Sequence, residues 1–147
     1  MNILVSACLL GVDCRYCGTG LYNEQVYDLK KKHNLIPICP EQLGGLTTPR
    51  NPVEIVNGRA IDKENNDYTT QFQKGAEETL KIAKLLDCTV AILKSNSPSC
   101  GYGIIYDGTF SGEKIDGNGM TAEYLSKNGI RVLTENEVDS LGNCETI

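Results

Sequence analysis

Asn2-Ile3-Leu4-Val5-Ser6-Ala7-Cys8 opens the chain as an apolar, partly β-branched run that ends on a cysteine, and the glycine- and cysteine-containing loop Gly11–Gly20 follows. A short apolar run stopping at such a loop reads as a buried strand feeding it. The pattern recurs down the chain. Leu35–Cys39, broken by Pro40, reads as a second strand presenting Cys39 and Glu41 at its C-terminal end. Thr89–Lys94 supplies a buried strand that runs into the Ser-, Pro- and Gly-rich loop Ser95–Gly103, which carries Cys100, and Ile130–Leu133 is a final strand.

Helical patterns alternate with these strands. Asn23–Asn34 has Asn23 as a cap and Asn34 as a stop signal. Tyr68–Leu86 is the longest, with Phe72, Ala76, Leu80, Ala83 and Leu86 on one face. Thr121–Asn128 is capped by Gly129, and Glu135–Leu141 reads as a last short helix. Val53–Val56 and Arg59–Ile61 flank Asn57-Gly58, the favoured two-residue hairpin turn; Gly44–Pro52 is loop, and Ile104–Asp107 with Phe110 forms a smaller excursion. Strands alternating with helices predict an α/β fold, a single three-layer domain over residues 1–147 with a mainly parallel, Rossmann-like sheet.

At 147 residues and 40% apolar content the chain suits one core, and no apolar run approaches the roughly 20 residues that span a bilayer. The apolar N-terminus lacks a basic segment before it and reads poorly as a signal peptide, so a cytoplasmic location is expected. A net charge of −5 argues against a basic stripe for long nucleic acids and favours a small-molecule substrate.

Seven cysteines, Cys8, Cys14, Cys17, Cys39, Cys88, Cys100 and Cys144, stand out in such a chain. An odd count without an export signal points to metal or catalysis before disulfides, although Cys88 and Cys144 read as small buried hydrophobes. Open parallel sheets bind ligands beyond the carboxyl ends of their strands, and Cys8, Cys39 and the Ser95–Cys100 loop all fall there. Their convergence on one rim is the case for a metal site. Iron–sulfur clusters take Cys thiolates, and three in place of four leave one iron open as a Lewis acid for a soft ligand. Cys14-Arg15-Tyr16-Cys17 is a C-x-x-C that suits zinc, a redox pair or a plain structural loop equally well.

His33, the only histidine, reads as a solvated residue at a helix end, so a general base falls to another residue type. Glu41, two residues beyond Cys39, is the best-placed candidate, against the alternative of an ordinary surface carboxylate. Lys94–Gly101 is dense in donors; Ser95, Ser99 and Gly101 suit a polar base edge or an oxyanion, or simply a turn. Gly117-Asn118-Gly119 before the Thr121 helix suits a phosphate or a helix cap.

Taken together, Ser6-Ala7-Cys8-Leu9-Leu10-Gly11, Cys14-Arg15-Tyr16, Cys39-Pro40-Glu41 with Gly44-Gly45-Leu46, Ser97-Pro98-Ser99-Cys100-Gly101 and Gly119-Met120-Thr121-Ala122 resemble the thiouracil desulfurase family over nearly the whole chain. The resemblance implies a [4Fe–4S] cluster held by Cys8, Cys39 and Cys100 with its fourth iron free. It also implies non-redox desulfuration of a thiolated nucleobase or nucleotide, thiouracil or a thiouridine nucleotide, with sulfide release. Glu41 would then transfer protons, and Ser97 would position the base or a water. Two residues depart from the pattern: Cys17 stands where the family motif leads one to expect Asp, and Asn96 where Arg is expected. The alternatives are a non-catalytic iron–sulfur or zinc module and a thiol oxidoreductase using Cys14 and Cys17.

Overall fold

In the computed structural model, which describes residues 1–141, the opening run forms strand β1 (Asn2–Ser6), and it becomes the inner strand of a four-stranded parallel sheet. Its neighbours are β2 (Asn34–Ile38) on one side and β5 (Val90–Leu93) on the other, with β8 (Arg131–Thr134) beyond β5. β1 and β5 are buried on both faces, which is why they read as continuous apolar runs rather than as alternations. β2 is an edge strand, and an edge tolerates Pro37, which has no N–H to give to a further neighbour.

The pleat of the sheet sorts the core into two. Ile3 and Val5 of β1 and Ile92 of β5 pack on one face with Val26, Val138 and Leu141. Leu4, Ala91 and Leu93 pack on the other against Leu80, Ala83, Ala122 and Leu125. The second group comes from α3 (Thr69–Leu85) and α4 (Met120–Lys127), whose apolar faces meet the sheet and each other. Phe72 is 1% exposed, and burying a side chain of that size contributes about 2–3 kcal/mol. Val26 belongs to α1 (Glu24–Asp28) on the opposite face, so the three layers are helix, sheet and helix. No helix among the described residues is long and apolar enough to cross a membrane.

The first helix is shorter than its periodicity predicts. Asn23 caps it through Val26 N at 3.0 Å, but α1 stops at Asp28, and a 3-10 turn (Leu29–Lys31) leads straight into β2. The pairing of Asn34 with Asn2 explains this, because Asn34 N must reach Met1 O at 3.0 Å and the chain has to leave the helix early. His33 is accordingly not solvated: it is 7% exposed, with Nδ1 at 3.1 Å from the Met1 amine. The C-terminal helical segment begins as a 3-10 turn (Glu135–Glu137) capped by Thr134. Cys144 lies outside the described residues; Cys88 is buried in the core between α3 and the sheet.

Two antiparallel hairpins stand apart from the main sheet. β3 (Val53–Val56) and β4 (Arg59–Asp62) meet at Asn57-Gly58, with φ +50° and +77° as the favoured turn requires. β6 (Ile104–Tyr106) pairs with β7 (Lys114–Asp116), a three-residue strand too short and too exposed to announce itself in sequence.

After β4, the Asp62 carboxylate organises a turn. It accepts from Glu64 N and Asn66 N at 2.9 Å each and from the side chains of Asn66, Asn51 and Tyr68. Led by the Asn66 side chain, these bonds hold its pKa at about 2. A depressed folded-state value stabilises the fold above the unfolded pKa of about 3.9, and that contribution is lost as pH falls toward 2. Thermal melts of Asp62→Asn should therefore show a lower Tm at pH 7 and a shallower further fall between about pH 4 and 2 than the parent. Parallel curves would remove Asp62 from the account.

Candidate active site

The chain leaves β1 for β2 on one side and returns to β5 on the other, so the strand order reverses at the carboxyl end of β1. Such a switch point leaves a crevice. Here it is a cavity of about 300 Å³ lined by residues that follow β1, β2 and β5. Cys8 lies in a 3-10 turn (Ala7–Leu10) rather than at the tip of β1 itself, and Gly11, at φ +94°, ends that turn. Cys39 is the N-cap of α2 (Pro40–Leu43), with Pro40 at the position where a missing N–H costs nothing. Cys100 comes from the loop after β5, and all three thiols line the cavity.

The loop around Cys100 is held by its own backbone. Ser97 Oγ accepts from Ser99 N (3.2 Å) and Cys100 N (3.1 Å), and Gly101 N donates to Ser97 O (2.8 Å). The N-terminus of α4 completes the support: Gly119 N donates to Gly101 O, Met120 N to Pro98 O, and Thr121 N to Ser99 O. The Gly117 and Gly119 amides are thus committed, to Gly103 O (3.0 Å) and Gly101 O (2.7 Å), and are not free for a phosphate. A Cβ on Gly119 would lie 2.6 Å from Ser99 C, so only glycine permits this approach. Gly101 does not line the cavity; its amide serves the turn. Asn96 adopts φ +66°, a conformation Asn tolerates.

Glu41, on α2, turns its carboxylate into the cavity wall. Oε1 accepts from Ser99 Oγ at 3.0 Å, and Oε2 from Arg50 Nε at 2.7 Å. Because Ser97 Oγ already accepts two amides, its own proton is free for Ser99 Oγ at 3.1 Å. Ser97, Ser99 and Glu41 therefore form one hydrogen-bonded chain. Ser95 takes a different partner, donating N–H (2.8 Å) and Oγ–H (2.9 Å) to Glu135. Burial works against the Glu135 carboxylate, but the Ser95 bonds and Lys94 Nζ at 3.3 Å keep it below its ordinary value.

The C-x-x-C pair is divided by the fold. Cys17 is exposed beside Thr19 Oγ1 at 3.0 Å, whose hydrogen bond lowers its pKa. Cys14 is 3% exposed, lines the cavity, and contacts the thiols of Cys39 and Cys8. Its contact with Cys39 favours the thiolate, but Cys8 and burial outweigh that and push the pKa to about 11. The contact with Cys14 and burial raise Cys39, and burial pushes Cys100 to about 12. Cys17 does not line the cavity that Cys14 lines, so the fold does not bring the C-x-x-C pair to one zinc site.

The sequence reading names Cys8, Cys39, Cys100, Glu41, Ser95, Ser97, Ser99 and Gly101, and the structure brings all but Gly101 to one cavity wall. It missed Arg50, the Lys94–Glu135 pair and the inward turn of Cys14. Arg50 lies in a loop between Pro49 and Pro52, and a cation held between two prolines was the only available signal.

The sequence model of the 2-thiouracil desulfurase family matches residues 3–137. Uncharacterized protein YbbK of Bacillus subtilis (strain 168) is 44% identical over 149 residues, covering 95% of this chain and 99% of that protein. The solved structure of a [4Fe-4S]-dependent thiouracil desulfidase, TudS, superposes with a TM-score of 0.93 at 36% identity, covering 99% of this chain and 97% of that one. With the match spanning the sheet, the cysteine-bearing strand ends and the supporting helices, the chain belongs to the 2-thiouracil desulfurase family.

Proposed function

We propose that this protein hydrolyses the thiocarbonyl of a small thiolated pyrimidine, thiouracil or a thiouridine nucleotide, to the carbonyl with release of sulfide, on a [4Fe–4S] cluster held by Cys8, Cys39 and Cys100. The observation that carries the reading is the meeting of these three thiols with Glu41 in one cavity. The donor set fits the group: the three residues are free cysteines that line one cavity, and cluster irons take Cys thiolates. Ser99 Oγ lies 3.6 Å from Cys100 Sγ, and its one proton goes to Glu41 Oε1, so it ties the carboxylate to the cysteine-bearing turn. Likeness to a [4Fe-4S]-dependent thiouracil desulfidase supports the same assignment.

Bound there, the cluster supplies an iron without a protein ligand, a Lewis acid for the thiocarbonyl sulfur. The protein supplies the proton traffic. Glu41 Oε1 faces Ser99 and accepts the proton of the water that attacks the thiocarbonyl carbon, then returns it to the departing sulfide. Ser97 holds Ser99 in place, Ser95 is held to Glu135 at the cavity wall, and Gly101 shapes the turn that carries Ser97 and Ser99. Thiocarbonyl plus water gives carbonyl plus hydrogen sulfide, so no oxidant or reductant is consumed. The free thiols suit a reducing compartment, and we place the protein in the cytoplasm.

Anaerobic reconstitution should yield about four irons per chain, followed by equimolar sulfide and uracil on adding thiouracil. Failure to release sulfide from any thiopyrimidine, base or nucleotide, would end the proposal. Glu41→Gln should keep the cluster and lose a factor on the order of 10²–10⁴ in turnover. A nearly normal rate in that variant would take Glu41 out of the mechanism.

A further inference from the structure

Arg50 is tied into the site more completely than any other cation of the cavity wall. Its side chain is 8% exposed, and its guanidinium carries five N–H donors in a fixed plane. Four of them donate to protein acceptors, and the guanidinium is in ion-pair contact with Glu41. Nε and Nη2 converge on Glu41 Oε2 at 2.7 and 2.5 Å; Nη2 also reaches Cys14 O at 3.0 Å; Nη1 takes Thr48 Oγ1 at 2.9 Å and Thr47 O at 3.2 Å. With its donors turned to the protein and its side chain buried, Arg50 is not arranged as a binding group for an anionic ligand.

What the geometry does instead is asymmetric. Nε–H donates to Oε2 and Nη2 lies against the same oxygen, which pins the carboxylate by one oxygen and leaves Oε1 to Ser99. The same guanidinium holds the carbonyl of Cys14, the residue whose thiol touches Cys8 and Cys39. We propose that Arg50 is a positioning residue of the desulfuration: it aims Glu41 Oε1 at the reacting water and locks the Cys14 loop against α2. The inference rests on the function proposed above, because it acts through Glu41. A lysine brings the charge but only three donors and no plane, so charge alone does not replace it.

The test pairs Arg50→Lys and Arg50→Gln with Glu41→Gln in the anaerobically reconstituted protein. Arg50→Lys should lower kcat for thiouracil at least tenfold, change KM less than about twofold, and keep the parent's iron and sulfide content, because a 1 Å misplacement of a catalytic group costs about 10²-fold. Arg50→Gln should lose at least as much. In the Glu41→Gln background either substitution should cost less than about twofold, since residues acting as a unit are not additive. Equal losses in both backgrounds, or a normal kcat in Arg50→Lys, would overturn the proposal. A crystal structure of Arg50→Lys gives a readout that needs no turnover: Glu41 Oε1 should leave Ser99 Oγ while the Cys8, Cys39 and Cys100 backbone stays in place. Glu41 still hydrogen-bonded to Ser99 there would overturn it, even if the parent proved inactive on thiopyrimidines and the function itself had failed.

Discussion

Cys100→Ala protein, reconstituted anaerobically, is expected to remain folded, to hold no cluster, and to release no sulfide from thiouracil. The folded state should survive because the thiol is 5% exposed and burial raises its pKa to about 12, so without a bound metal it sits in the wall as a small neutral group. Removing it costs on the order of 1 kcal/mol, the scale of deleting one buried methyl-sized group. The turn that presents it is built from backbone and from Ser97, not from the thiol, and persists without it. On the ligand set proposed above a cluster has no such redundancy: with one of the three thiols gone, only two of the proposed ligands are left.

Cys88→Ala is the matched control, since Cys88 is buried in the core away from the cavity and its loss should leave iron content unchanged. Cys14→Ala separates the ligand set from its neighbour. Retention of about four irons in that variant keeps the three-thiol assignment, and retention in Cys100→Ala would break it. Iron and sulfide quantitation with an ultraviolet–visible spectrum reads all three variants.

Gly75→Ala is expected to destabilise the protein by about 3 kcal/mol or more, although alanine is the better helix former by up to about 1 kcal/mol. The two effects are of unequal size here. α2 and α3 cross at Gly44 and Gly75, where a Cβ on Gly75 would stand 2.0 Å from Pro40 O and one on Gly44 would stand 2.0 Å from Gln71 O. Both obstacles are backbone and cannot rotate away, so the helices must part. α2 starts at Pro40, directly after Cys39, and carries Glu41. Its displacement would therefore pull the carboxylate from Arg50 and Ser99, adding a loss of about 10²-fold in turnover to the loss of stability. The denaturation midpoint and kcat of Gly75→Ala check the two halves, and a variant as stable as the parent would refute the close crossing.

The strands and the long helix were legible because their patterns are local. Ile3, Leu4 and Val5 form the continuous apolar run of a strand buried on both faces, and Phe72, Ala76, Leu80 and Ala83 repeat the helical period that one buried face imposes. α1 was overread for the same reason: its periodicity continued past Asp28, but the demand of β2 for Asn34 ended the helix. His33 was misplaced along with it, since its burial against the Met1 amine depends on a strand pairing 32 residues away.

By itself, the order of strands and helices determined that Cys8, Cys39 and the Cys100 loop would share one rim, because parallel connections deliver every strand end to the same edge of the sheet. Only the tertiary structure decided what faces what across that rim. It separated Cys14 from Cys17, joined Glu41 to Arg50 and Ser99, and spent the α4 amides on the Ser97–Gly101 turn. Those contacts link residues from different elements, and their partners are chosen by distance and desolvation in the folded chain, which no spacing along the sequence encodes.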